Sequence, residues 1–304
     1  MAEPRIARLY LYPDLRRRVQ AGKPGFVTTL CAVLRAQGFE VCLNGDTPED
    51  LRAAKGHPGY AIVRMTDPPT ERGVTFRRTY FAPFWHIERS AARWDWPVAQ
   101  ARFDPRGVKP HKAARLLANL RARHFPGVTP GRDGHVLIAL QGRLLERRGF
   151  QSCTPLQMIE AVLEHDQTRH IHATLHPRET YTAHEMQALE ALTRRFARLT
   201  VGMGGSDRVL PGCDYVVTQN SAVAFAGYLL EKPAALFGQI DFHHIAANVH
   251  TLGAEQALHS VPDMRPDFAA YLWWFLRDHA IDDSRPDAQA RITQALIRAG
   301  WPLD

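Results

Sequence analysis

The chain has 304 residues, 45% hydrophobic and 23% charged, with a formal net charge of +7 and a pI of about 9.5. That length is more than one core usually serves, so two domains are expected, and the balance argues against long disorder. Cys31, Cys42, Cys153 and Cys213 are isolated, without a CxxC pair, which argues against a zinc site or disulfide framework and fits a reducing cytoplasm.

A basic surface favours anionic partners but does not choose among sugar nucleotides, headgroups and glycans. No recognised nucleic-acid module is present, so nucleic acid is not an expected partner. The N-terminal stretch lacks the apolar core of a signal peptide. The apolar runs at 222–230 and 269–276 are shorter than the roughly 20 residues that span a bilayer. A cytoplasmic protein is expected, with peripheral contact at the inner membrane face as the alternative.

In chain order, "RIARLYLY" reads as a strand and "GKPGFVTTLCAVLRAQG" as a turn, a helix and a stop at Gly38. "FEVCLN" is a second strand, "PEDLRAA" a short helix and "YAIVRM" a third strand. This alternation predicts a parallel, doubly wound sheet. The aromatic segment "FRRTYFAPFWHIERSAARWDWP" has no clear period, and "HKAARLLANLRARHF" reads as a basic amphipathic helix. The Pro- and Gly-rich stretch "FPGVTPGRDG" predicts the domain boundary, with an acceptor-side domain over 1–125 and a donor-side domain over 135–304. The final helices of the second domain are candidates to pack back across the cleft.

The second half restarts with "HVLIAL", a strand ending at Gln141. "TPLQMIEAVLEH" is a helix capped by Thr154. "HIHATL" is a strand ending at His176-Pro177. The helix "TAHEMQALEALTRRF" has Thr182 and Glu185 at capping-box spacing. "LTVGMG" and "DYVVT" are strands, "SAVAFAGYLLE" a helix and "PAALFG" the last strand. The fold class expected is α/β, with two Rossmann-like doubly wound domains and an interdomain cleft.

Ligands of open parallel sheets gather beyond the carboxyl ends of the strands. Gln141, His176-Pro177 and Gln219-Asn220-Ser221 all follow such ends and are expected on one rim. Ser221 can cap the following helix, whose first amides suit a phosphate. Each motif alone reads as ordinary turn or cap chemistry; their shared position favours a site. In the first half, Asp14, Asp46, Asp67, His86 and Glu88 are candidates for a general base, and "FWHIE" sets His86 and Glu88 between aromatic residues that could stack on a sugar or serve as a structural plug. Asp241, His243 and His244 are ligand-type residues without a second cluster, so no metal is expected.

The segments "HVLIALQGRLLERRGFQS", "HIHATLHPRE" and "CDYVVTQNSAVAFAGYLLEKPAALFG" resemble the capsular polysaccharide synthesis family, which includes bacterial Kdo transferases related in fold to GT-B sialyltransferases. The resemblance covers about residues 135–250. It implies a GT-B glycosyltransferase in capsular or surface polysaccharide synthesis, a CMP-activated donor such as CMP-Kdo, and a polysaccharide or glycolipid acceptor, with no cofactor beyond the nucleotide sugar as substrate. It implies that His176 contacts the donor phosphate or ribose, protonated beside the anion, with Pro177 fixing its approach. Ser221 and the next amides would hold phosphate, and Lys232 with Pro233 would shape the turn into the next strand or meet the substrate. Two positions depart from the family pattern. Gln141 is followed by Gly142, Arg143, Leu144 and Leu145 where acids are common, and Ala226 stands where Glu is common. A non-catalytic GT-B binding or scaffold protein, or a sugar-nucleotide epimerase, therefore stay open as alternatives.

Overall fold

The computed structural model describes residues 4–303, and these form two compact units, one of residues 4–97 with 276–303 and one of Val98–Phe275. No helix among the described residues is long and apolar enough to cross a membrane.

The first unit contains β1 (Ile6–Tyr10), β2 (Glu40–Asn44), β3 (Tyr60–Arg64), β4 (Val74–Arg78) and β5 (Phe84–Glu88), with a late strand, Ile281–Asp282. Their order across the sheet is Ile281–Asp282, β5, β4, β3, β1, β2. β1 to β4 are mutually parallel, whereas β5 runs antiparallel to β4 and the late strand antiparallel to β5. The three strands whose alternation predicted a parallel sheet, β1 to β3, are parallel as expected, and β5 with the late strand makes the whole sheet mixed. The aromatic segment without a clear period holds the end of β4 and the whole of β5. One face packs on the helices Phe26–Ala36 and Ala288–Arg298, burying Phe26, Leu30, Phe76, Ile87, Ile292 and Leu296. The other face carries a smaller cluster of Tyr10, Ala54, Ala61 and Val63.

The second unit contains β6 (His135–Ala139), β7 (His170–Leu175), β8 (Leu199–Met203), β9 (Tyr215–Thr218), β10 (Ala234–Leu236) and β11 (Ala247–Asn248). All pairs are parallel, in the order β11-β10-β9-β6-β7-β8. Counted from β6, this is the 3-2-1-4-5-6 order of a dinucleotide-binding Rossmann sheet, whose direction of winding reverses between β6 and β9. The inner strands are apolar on both faces, as strands covered on both sides must be: Val136–Ala139 and Tyr215–Thr218 are buried throughout. β11 extends the series one strand past the expected last one.

Local signals start the helices where the sequence places them. The Thr154 side chain accepts from the Gln157 N–H, and that of Thr182 from the Glu185 N–H, each in a complete capping box. The helix Ala222–Leu229 is buried apart from its first turn and the half-buried Ala226, consistent with its all-round apolar sequence. Phe225 and Tyr228 lie among Phe242, Tyr271 and Phe275 in an aromatic layer.

The units do not divide at 125–134. The helix Pro110–His124 belongs to the second unit, as does Phe268–Trp273, against which it packs. The Pro- and Gly-rich stretch is fastened to the same unit. Gly131 N–H donates to the Pro211 carbonyl at 2.9 Å, Asp133 N–H to Gly212 at 2.9 Å, and the Lys232 ammonium donates to the Gly131 carbonyl. At the other end, the chain from Leu276 onward belongs to the first unit, where Ala288–Arg298 covers the sheet.

Candidate functional site

The parallel order of the second sheet places the ends of β9, β6 and β7 side by side. Thr218, Ala139 and Thr174 share one register line. Gln219–Ser221, Gln141 and His176 follow these three residues by one to three positions, so the three distant motifs meet on a single carboxyl rim, with the first two flanking the reversal point. The rim is fastened by polar side chains inside it. Thr218 Oγ1 donates to the Ala139 carbonyl at 2.7 Å and accepts the Ser221 N–H at 3.3 Å. Thr174 Oγ1 and Ser206 Oγ share a hydrogen bond of 2.7 Å.

At the end of β9, Gln219 is 1% exposed and its Nε2 donates to the Cys153 carbonyl at 3.0 Å. Its Oε1 is buried without a partner, as is Oε1 of Gln141. Asn220 and Ser221 are also buried. Ser221 Oγ accepts the Val223 N–H at 3.3 Å, and the Ser221 carbonyl accepts the Ala224 N–H. The cap is thus structural, and the Ala222 N–H is the first-turn donor the helix itself cannot use. Ala222 is exposed.

His176 is half-buried and Pro177 exposed. The Arg178 N–H donates to His176 Nδ1 at 3.2 Å, and the His176 N–H donates to the Tyr181 hydroxyl at 2.8 Å. An Nδ1 that accepts leaves the ring proton on Nε2. His176 therefore offers an Nε2–H donor beyond the end of β7.

The loops after β6 and β7 also meet. A Cβ added at Gly142 would lie 2.6 Å from Glu179 Oε2. The loop after β6 is further held by Glu185, whose Oε1 accepts the Leu144 N–H at 2.5 Å while its Oε2 closes the capping box on Thr182. Multiple N–H donors hold the Glu185 carboxyl below its ordinary range despite its burial.

Lys232 does not belong to this rim. It precedes β10, at the opposite, amino-terminal edge of the sheet, and is 2% exposed with its ammonium on the Gly131 carbonyl. Burial lowers its pKa. Its expected contact with substrate is replaced by a structural one, because the turn from helix to strand lies at the far end from the ligand edge.

In the first unit, the antiparallel course of β5 pairs Glu88 with Thr75 near the amino end of β4, and His86 with Arg77 towards its carboxyl end. Neither residue follows the carboxyl end of a parallel strand. His86 Nδ1 lies 3.3 Å from Glu88 Oε1, and the imidazole packs 4.9 Å from the Trp96 ring. Trp85 stacks on Phe26 at 4.6 Å, and Phe84 is 1% exposed under the Arg277 guanidinium. The aromatic residues of "FWHIE" are core, not a stacking platform. Asp67 accepts the Ala91 N–H at 2.7 Å. Asp14, by contrast, follows β1 on the carboxyl side, is exposed, and pairs with Arg17. β1 and β3 flank this sheet's own reversal point. There Arg64 lies 5.0 Å from the centroid of the exposed Tyr12 ring, and Met65 is exposed with a left-handed backbone, φ 61°.

Arg148, which no sequence motif marks, lies in the loop after β6. Its guanidinium is 4.9 Å from the Phe150 ring centroid, and its Nε and Nη2 are buried without a partner.

No family model matches the chain, and no curated protein matches it. Among solved structures, it is similar to the Thermosulfurimonas dismutans KpsC β-Kdo 2,7 transferase, with 14% identity over 97% of this chain and 99% of that one and a TM-score of 0.53. Matches at lower TM-scores are the β-Kdo 2,4 transferase of the same KpsC, at 15% identity over 89% and 90% (TM-score 0.45), and the Methanocaldococcus jannaschii UDP-GlcNAc 2-epimerase, at 9% over 88% and 96% (TM-score 0.36). The first match defines the class of architecture: two Rossmann-like α/β units in one chain, the GT-B-like fold.

Proposed function

We propose that the chain is a glycosyltransferase that uses a nucleotide sugar, of the CMP-Kdo kind, to extend a capsular or surface polysaccharide or a glycolipid. The observation that carries this reading is the placing of Gln141, His176 and Gln219–Ser221 beyond adjacent strand ends on one carboxyl rim, which includes the reversal point of a Rossmann sheet. The GT-B-like fold supports it by analogy.

In this reading the leaving phosphate meets the Nε2–H of His176 and the first-turn N–H of Ala222, two donors fixed before the reaction begins. Such donors lower the barrier by stabilising the charge that develops on the leaving group. An inverting transfer also needs a base on the acceptor hydroxyl. Within the first unit, Asp14 is a carboxylate beyond the carboxyl end of a parallel strand, whereas the His86–Glu88 pair lies on an antiparallel strand against Trp96. Ala226, half-buried on the helix that Ser221 caps, favours the second reading, a GT-B protein that binds its ligand without turning it over.

Thermal unfolding with CMP, UDP, GDP and their sugars separates the two. A ligand at a hundred times its Kd stabilises by about 2.7 kcal/mol. Stabilisation by CMP with donor hydrolysis that His176→Ala abolishes supports the transferase. Stabilisation without turnover supports the binding protein, and no stabilisation by any nucleotide overturns both.

A further inference from the structure

We propose that Arg148 is the fixed cation of the rim, gripping the phosphate of the bound nucleotide through Nε and Nη2. This rests on the nucleotide reading above and adds the residue that supplies its positive charge.

Arg148 stands on the loop between β6 and the helix Pro155–His165, and that loop is stitched to the strand exits around it. Ser152 N–H donates to the Phe237 carbonyl at 2.8 Å, Gln239 N–H to Phe150 at 2.8 Å, and the Gln219 amide to Cys153 at 3.0 Å. The Arg148 N–H itself donates to Gln151 Oε1 at 2.7 Å. A Cβ at Gly238 would lie 3.0 Å from the Gln219 carbonyl and 3.3 Å from the Phe150 ring on which Arg148 rests. This chain of contacts ties Arg148 to the end of β9.

A guanidinium is always charged, and burying its N–H groups unpaired is costly. Burial and the neighbouring Arg143 lower the Arg148 pKa against the opposing pull of Glu179 and Glu146, and Arg148 makes no ion pair among the described residues, Glu146 being paired with Arg143. Two further groups nearby are almost wholly buried and unpaired: Gln151 Nε2, a donor, and Gln219 Oε1, an acceptor, both on residues 1% exposed. The set offers donors to anionic oxygens and an acceptor to a hydroxyl or amino group. A nucleotide carries both. Arginine's fork matches phosphate in two bonds, which a lysine at the same place cannot do.

The test compares wild type, Arg148→Gln and Arg148→Lys for binding of CMP and of pyrophosphate by calorimetry, with the unfolding temperature of each ligand-free protein. The expected result is a rise of about 10- to 100-fold in the CMP Kd for Arg148→Gln. Arg148→Lys should lose less and keeps the test open if the glutamine variant does not fold. The ligand-free Arg148→Gln should melt no lower than wild type, because an unpaired buried charge has been removed. A lower melting temperature with unchanged CMP affinity assigns Arg148 to packing on Phe150 and overturns the proposal. Equal CMP affinity in wild type and both variants overturns it while leaving the nucleotide reading intact. Pyrophosphate binding that is lost in the variants, with no CMP binding by wild type, supports Arg148 as an anion residue and overturns the nucleotide reading. Binding of neither anion overturns both.

Discussion

Thr218 Oγ1 donates to the carbonyl of Ala139 at 2.7 Å, so the last residues of the two strands that flank the reversal point are held together by one buried hydroxyl. The same oxygen accepts the Ser221 N–H and sets the entry to the helix behind it. One side chain therefore fixes both the spacing of the rim and the position of its first helical amide.

Thr218→Val keeps the shape of that side chain and removes its hydrogen bonds. The Ala139 carbonyl and the Ser221 N–H are then left unpaired, at a cost of about 1–3 kcal/mol. Urea unfolding should show that loss, and nucleotide binding should weaken with it.

Glu185 touches no ligand in the proposed arrangement, yet it holds the loop after β6 through Leu144. Glu185→Ala removes this bond and half of the capping box, so stability should fall by about 1–2 kcal/mol. Nucleotide affinity should fall as well, because Arg148 rides on that loop. Unchanged affinity at lowered stability would separate the helix cap from the loop.

Lys232 offers the reverse case. Lys232→Met keeps the aliphatic stem and gives up the bond to Gly131, while removing a buried ammonium whose pKa burial already lowers. These effects oppose each other, so stability should drop by no more than about 1 kcal/mol. Nucleotide binding should match wild type. A large loss of affinity would return Lys232 to the site.

His279 predicts the acid behaviour of the first unit. Burial first, then His86, Arg291 and Arg298, depress its pKa from 6.5 to about 4. The unfolded chain therefore binds this proton more readily than the folded one across that interval. Stability contributed by the neutral imidazole is present above pH 6.5 and is lost as pH falls towards 4. After allowance for partial exposure the loss is about 1–2 kcal/mol. Denaturant unfolding between pH 7 and 4 should show it, and His279→Gln should flatten that slope.

The parts of the structure legible in the sequence were those set by short-range chemistry. Thr154, Thr182 and Ser221 announce their helices by side chains that bond two or three residues on. The rim followed from strands that end in polar residues and from the rule that parallel strands line up their ends. What escaped depends on partners distant in sequence. β5 is held on its outer edge by Ile281–Asp282, so no local period revealed its antiparallel course or the resulting place of Glu88. The Pro and Gly of 125–134 read as a linker, and only the fold brings Lys232 to Gly131. Nothing in "LLERRGF" marks Arg148 out, because its contact with Phe150 appears only in the folded loop.

Amide hydrogen exchange with and without saturating CMP addresses the nucleotide site itself. The prediction is slower exchange in three separate peptides of the second unit, those spanning 141–151, 176–179 and 219–224, with His176→Ala and Arg148→Gln each reducing the effect in all three. Protection confined to other segments, or to one of the three alone, would contradict a shared nucleotide site on this rim.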